Sequence, residues 1–214
     1  MDNQDNKLSE SAERIVDIAA DLFSDYGYHG VSTRQIAKAA GLNVSTVSHH
    51  VGSKRDLYMK VIKKMYDEET LLISNFEAKL ENEAKKKKPD FKRVLNEIAD
   101  TFIHVFDTQP YRARLYMLRW MEPSDDLMDE EEALSNSQYK TMYDMLYRAQ
   151  NAGIIDSKID LKMLLRSIDW IVFGYFVSGP MDMKNSRCDP HDKKNLKEFR
   201  NFLYEYFVKM LGFE

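Results

Sequence analysis

A chain of 214 residues with 31 % charged and 12 % aromatic side chains can bury at least one substantial core, which excludes an intrinsically disordered polypeptide. The single cysteine, Cys188, forms no internal disulfide, and the longest apolar run, Ile168 to Val177, is interrupted by Asp169 and Gly174 and falls short of the roughly 20 residues that cross a bilayer. No lysine- or arginine-led apolar stretch near residue 1 resembles a signal peptide, so the expectation is a cytoplasmic protein with no membrane partner.

The net charge of −4 is unevenly spread. Between Tyr26 and Met65 stand seven basic residues, Arg34, Lys38, Lys54, Arg55, Lys60, Lys63 and Lys64, against one acid, Asp56. That segment carries +6 and the remainder −10, a distribution that steers one region of an otherwise acidic chain toward phosphate.

Taken in chain order, the periodicity predicts helix after helix and no alternating strand, hence an all-α fold. In the first helix Ile15, Ile18, Ala19 and Leu22 fall on one stripe that Phe23 and Tyr26 extend, and Gly27 is the expected stop. Ser32 caps a short helix from Thr33 to Ala40 that Gly41 ends, and Asn43 caps a third from Val44 to about His50. Ser53 with Asp56 forms a capping box that opens a long helix bearing Leu57, Val61, Ile62, Met65, Leu72, Phe76 and Leu80.

The run Lys85 to Lys88 before Pro89 reads as an exposed helix end and linker. Asp90 caps the next helix, Pro110 precedes one starting at Tyr111 and ended by Pro123, and an acidic stretch from Asp125 to Glu132 leads into another that finishes at Gly153. Asp160 caps an apolar helix closed by Gly179 and Pro180, and the last helix runs from about Asp192 to Leu211. The expected organisation is a helix-turn-helix domain over residues 8–55, a helix from about residue 54 leading onward, and a helical regulatory and dimerisation domain over 56–214.

The chemistry is concentrated between Val31 and Lys54. A helix-turn-helix needs a small residue where two helices approach and a turn residue tolerant of positive φ four places on. Ala37 and Gly41 supply these, with Ile36, Ala40, Leu42 and Val47 as internal packing. Ser45, Thr46, Ser48, His49 and His50 are then left to point outward, as short donors and acceptors suited to base edges and phosphates in a major groove. His49 and His50 lie about 100° apart on a helix with no further ligand at metal spacing, so no metal site is expected.

Residues Arg14 to Val61 resemble the N-terminal domain of the TetR family of repressors: Leu22, Phe23 and Gly27 in LF-x-x-x-G, then V-S-T-R-x-I-A-x-x-A-G, then Ser53, Lys54 and Leu57 in S-K-x-x-L. The rest resembles the family in its helical organisation. The resemblance implies that Thr33 and Arg34 meet phosphate and a base edge, with Arg34 suited to guanine. It places Val44, Ser45, Thr46, Ser48, His49 and His50 on the recognition helix and gives Lys54 a contact to the DNA backbone. Ser48 departs from the family's usual tyrosine.

The implied function is a ligand-responsive transcriptional repressor that binds a palindromic operator in double-stranded DNA as a homodimer joined through its last two helices. The alternative is a DNA-binding protein of the same fold without a small-molecule effector. A small apolar or aromatic effector would occupy a pocket among Phe102, Phe106, Tyr116, Trp120, Met121, Tyr143, Tyr147, Trp170 and Phe173, although residue by residue the same stripes serve as ordinary core. No nucleophile–base arrangement, phosphate loop or metal spacing is present, so neither catalysis nor a cofactor is expected.

Overall fold

A computed structural model describes residues 9–121, 128–182 and 186–213. Among the described residues the chain forms nine α-helices and no β-strand. A helix α1 (Glu10–Gly30) and two short ones, α2 (Thr33–Ala40) and α3 (Val44–Val51), precede the long α4 (Lys54–Ala84). There follow α5 (Phe91–Thr108), α6 (Tyr111–Met121), α7 (Met128–Asn151), α8 (Leu161–Ser178) and α9 (Lys193–Met210). Pro123 and residues 125–127 of the acidic stretch lie outside the described residues.

The early helices are delimited by the caps that their sequence supplies. Ser32 and Gln35 form a full capping box at α2, Gly41 closes α2 with φ 69° and ψ 29°, and the Asn43 side chain accepts from Thr46 N at 2.8 Å to start α3. Ser53 and Asp56 exchange the reciprocal bonds that open α4, and the Ser53 bonds hold the Asp56 carboxyl below its ordinary range. Gly27, at φ 69° and ψ 169°, kinks α1, and helical turns resume through Gly30.

Two expected packing positions are corrected. Tyr26 is 60 % exposed, because the buried stripe of α1 runs through Ala12, Ile15, Val16, Ala19, Ala20 and Phe23 and turns away from Tyr26 before the kink. Leu42 is 37 % exposed, since the turn after Gly41 carries it outward while Ile36, Ala37, Ala40 and Val47 close the interior.

The core is one continuous cluster from Ile15 and Ile36 through Ile62 and Leu115 to Leu203 and Phe207. Within it α1 packs on α2, α3, α4 and α6, α4 on α5 and α7, α6 on α8, and α5 on α9. The small N-terminal unit is thus seated on α6 as well as on α4. Gly179 has φ 68°, and a side chain there would run into the carbonyl of Cys188, which returns to donate its N–H to Pro180 O at 2.8 Å.

Candidate nucleic-acid interface and effector cavity

On α3 the division of faces is sharp. Val47 and Val51 are 1 % exposed and pin the helix inward, while Ser45, Ser48 and His49 are exposed, Val44 is 38 % exposed, and Thr46 and His50 are half-buried. Asn43 Oδ1 gathers the Ser45 hydroxyl at 2.6 Å, the Thr46 hydroxyl at 2.9 Å and the Thr46 N–H, which orders the first turn. Arg34 is exposed and Thr33 half-buried at the N-terminus of α2. Arg14 Nη2 donates to Ala40 O at 3.1 Å, so α1 holds the last turn of α2 and with it the turn into α3. The sequence reading missed Arg14 because its partner is 26 residues away.

Lys54 occupies a different setting from the one expected of a phosphate contact. Its ammonium donates to Tyr28 O and Val31 O, both at 2.9 Å, and sits 4.2 Å from the centre of the Tyr28 ring. Burial lowers its pKa. Tyr28 stacks edge-on against Tyr58, 5.0 Å between centroids, and Tyr58 against Phe23 at 5.1 Å. Lys54 therefore staples the segment between α1 and α2 to the start of α4.

Three of the seven local cations are engaged within the protein, with Arg55 on Glu130 at 2.8 Å, Lys64 on Asp17 at 2.5 Å and Lys54 on the two carbonyls. Arg34, Lys38, Lys60 and Lys63 make no ion pair among the described residues. An exposed polar helix face with the unpaired cations Arg34 and Lys38 on the adjoining α2 can contact a duplex groove and its phosphates.

The larger domain contains three adjoining pockets, its lobes, whose walls share residues. An outer lobe of about 500 Å³ lies among α4, α6, α7 and α8, and two inner lobes of about 80 Å³ each reach toward α5 and α9. Phe102 and Phe106 line the inner lobes, Tyr116 and Trp120 the outer, and Phe173 stands at the junction. Of the other residues predicted there, Met121 (65 % exposed), Tyr147 (48 %) and Trp170 (54 %) lie on the outer surface, and Tyr143 stacks on Tyr147 away from the lobes. Their apolar stripes run wider than the cavity, and helical spacing alone does not distinguish an inward from an outward flank.

The polar wall of this cavity was absent from the sequence reading. Glu69 of α4 receives Arg112 Nη1 at 3.0 Å, the Tyr116 hydroxyl at 2.8 Å and the Gln138 amide, thereby joining α6 and α7 to α4. Arg112, 1 % exposed, also bonds Glu68 and Met65 O. Burial raises the Glu69 pKa, opposed by Arg112 and by the hydrogen bonds. Asp169 of α8 has its carboxyl pushed up to about 7 by burial, with Arg166 opposing and Glu69 reinforcing. The visible signals were an acid inside an otherwise apolar helix and a Glu pair opposite an Arg of a later helix.

The geometry is that of a helix-turn-helix reader mounted on a helical domain with its own cavity. Residues 15–61 match the family model described as bacterial regulatory proteins, tetR family. The HTH-type transcriptional regulator RutR of Escherichia coli K12 is 33 % identical over 60 residues, 28 % of this chain and 28 % of that protein. UidR of the same organism is 32 % identical over 72 residues, 34 % of this chain and 36 % of its own length. The matched stretch thus spans about a third or less of these relatives.

Over the whole chain the fold is similar to FadR from Bacillus subtilis in complex with stearoyl-CoA, with TM-score 0.64 and 18 % identity over 92 % of this chain and 97 % of that one. The fatty acid degradation regulator FadR from Bacillus halodurans gives TM-score 0.63 and 17 % identity over 93 % and 97 %. Residues 15–61 are thus similar to the DNA-binding domain of the tetR family of bacterial regulatory proteins, and the chain as a whole shares the fold of these solved regulators.

Proposed function

We propose that this protein is a ligand-responsive transcriptional repressor in which two copies bind a palindromic operator and an effector in the larger domain releases it. The observation that carries the DNA reading is the α3 face, where Val47 and Val51 are buried and Ser45, Ser48 and His49 are exposed beside Arg34. In this reading Thr33 and Arg34 contact a phosphate and a guanine edge, and Val44, Ser45, Thr46, Ser48, His49 and His50 lie along the major groove. Lys54 supports the interface chiefly by holding the backbone of residues 28–31, with its third N–H directed to phosphate.

Dimerisation is supported by two outward apolar stripes. Met163, Trp170 and Val177 recur at seven-residue spacing along α8 and are 55 %, 54 % and 40 % exposed, and Phe202 and Met210 on α9 are 53 % and 40 % exposed. A heptad stripe on α8 beside an outward apolar pair eight residues apart on α9 suits a bundle made with the same two helices of a second copy.

Coupling has a short path. Glu69 lines the cavity and also holds Arg112 of α6, a helix that packs against α1 and whose Arg114 pairs with Asp25 at 2.8 Å. An effector that moves Glu69 shifts α6 against α4 and so the seat of the reader, altering the separation of paired recognition helices from ~34 to 36 Å or a multiple of it. Effector and operator then weaken each other's binding reciprocally.

The test is selection of bound fragments from random double-stranded DNA, followed by gel shift of the recovered site at low ionic strength. A palindromic site bound by two copies is expected, and a protein that ignores double-stranded DNA at low salt overturns the proposal.

A further inference from the structure

The cavity has three layers, and their order defines the chemistry of an occupant. The outer lobe is polar and aromatic, the innermost lobe is wholly apolar, and between them Glu69 and Asp169 belong to the walls of both the outer lobe and the first inner lobe. Among the described residues no basic side chain lines either inner lobe. In the outer lobe the acids Glu69, Glu131, Glu132 and Asp169 face two cations among the described residues, Arg119 and Arg166.

Those two arginines are occupied unequally. Arg119 is 12 % exposed and committed to Glu131 at 2.9 Å and the Tyr66 hydroxyl at 3.0 Å. Arg166 rests over the rings of Trp120 and Tyr139, 5.5 and 5.7 Å from their centroids, and its nearest approach to Asp169 is 3.7 Å, too long for a hydrogen bond. Asp169 accepts no hydrogen bond from the described residues and keeps 27 % of its side-chain exposure at the neck of the cavity. A carboxylate held in apolar surroundings without a donor is costly, and a cation or an N–H brought to it relieves that cost. Phe173 stacks on Tyr116, 4.8 Å between centroids, and meets Trp120 at a 45° tilt, 5.3 Å apart, so the lobe has an aromatic wall, and the Trp120 ring there already attracts the Arg166 guanidinium.

An anionic head group placed at the same neck would meet the carboxylates of Glu69 and Asp169, with Arg166 as the one lining arginine among the described residues that makes no hydrogen bond. The likeness to a protein solved with stearoyl-CoA is one of fold alone, and the charge a ligand would meet here is set by this lining, in which acids outnumber cations.

We propose, resting on the reading of this cavity as the effector site, that the effector is an apolar or aromatic molecule carrying a positive charge, an organic ammonium whose head sits between Glu69 and Asp169 and whose body enters the inner lobes beside Phe102 and Phe106. The cation completes the Asp169 environment and competes with Arg112 for Glu69, which ties its binding to the contact between α4 and α6.

A matched probe series tests this by calorimetric titration of the full-length protein: 4-phenylbutyltrimethylammonium, 4-phenylbutanol and 4-phenylbutyrate, which share a tail and differ in charge. The cation is expected to bind at least ~10-fold more tightly than the alcohol, a difference of about 1.4 kcal/mol, with the carboxylate weakest. Asp169→Asn should remove most of the cation's advantage and leave the alcohol within about twofold. Carboxylate or octanoyl-CoA binding as tight as the cation's overturns the charge assignment while sparing the cavity. Failure of all three probes, in a protein that still binds its operator, overturns the cavity reading and the proposal with it. The wild-type series decides the charge preference even if Asp169→Asn fails to fold.

Discussion

The outer face of α3 and the neck of the cavity each offer polar groups to a partner, and they are built by opposite means. On α3 every determinant is local: Asn43 caps the helix, Val47 and Val51 anchor it one turn apart, and the remaining side chains project outward from the helical repeat. At the neck, Glu69, Gln138, Asp169 and Arg112 come from four helices and meet only when those helices pack. The difference teaches that a site on a small capped unit tolerates changes elsewhere, whereas a site at a helix junction is inseparable from the stability and coupling of the whole domain.

The sharpest way to break this comparison is Arg112→Ala. Removing a guanidinium that is 1 % exposed leaves Glu68 and Glu69 without their partner, and urea denaturation should show a loss of about 3 to 5 kcal/mol. If stability is unchanged, the neck is not the structural junction described. Arg34→Ala addresses the opposite pole. Operator affinity measured by gel shift should fall by about 1 to 3 kcal/mol with relaxed preference at one base pair, while the denaturation midpoint stays the same.

Lys54→Met separates staple from phosphate contact. Loss of the bonds to Tyr28 and Val31 should lower stability by roughly 1 to 2 kcal/mol, visible in thermal unfolding without DNA, and a variant with native stability but a shallower salt dependence of DNA binding would restore the phosphate role alone.

Asp169→Asn sharpens the comparison through pH. The folded pKa of about 7 exceeds the unfolded value of 3.8, so the stabilising contribution of the protonated group is complete below about pH 4 and declines as pH rises through 7. Arg166 on the same helix opposes this shift and Glu69 from α4 reinforces it. The variant should flatten the stability profile between pH 4 and 7 and be the more stable protein at pH 8 by about 1 kcal/mol, measured by denaturation across that range. The smallest effect belongs to Asn43→Ala, which removes the α3 cap and should cost ~1 kcal/mol while loosening operator binding.

How much was legible in advance follows the same division. The starts of α2, α3, α4, α5, α8 and α9 coincide with Ser32, Asn43, Ser53, Asp90, Asp160 and Asp192, since a cap acts over three or four residues and is written in adjacent letters. The burial of Tyr26 and Leu42 was misjudged, because a kink or turn rotates a side chain by an amount that periodicity does not record. Met121, Tyr147 and Trp170 were assigned to the pocket because an apolar helix with two apolar flanks looks the same whichever flank faces in.

The amino-acid order alone determined an all-α chain, the limits of most helices and the reader with its outward polar residues, because hydrogen-bonded caps and the 3.6-residue repeat act at short range. Only the packing of α4, α6, α7 and α8 decided that Glu69 and Asp169 share a cavity and that Arg112 is buried against two acids, and only the packing of α1 on α4 decided that Lys54 grips carbonyls more than 20 residues away. Charges interact through space and not along the chain, so their partners were set by which helices came to lie side by side.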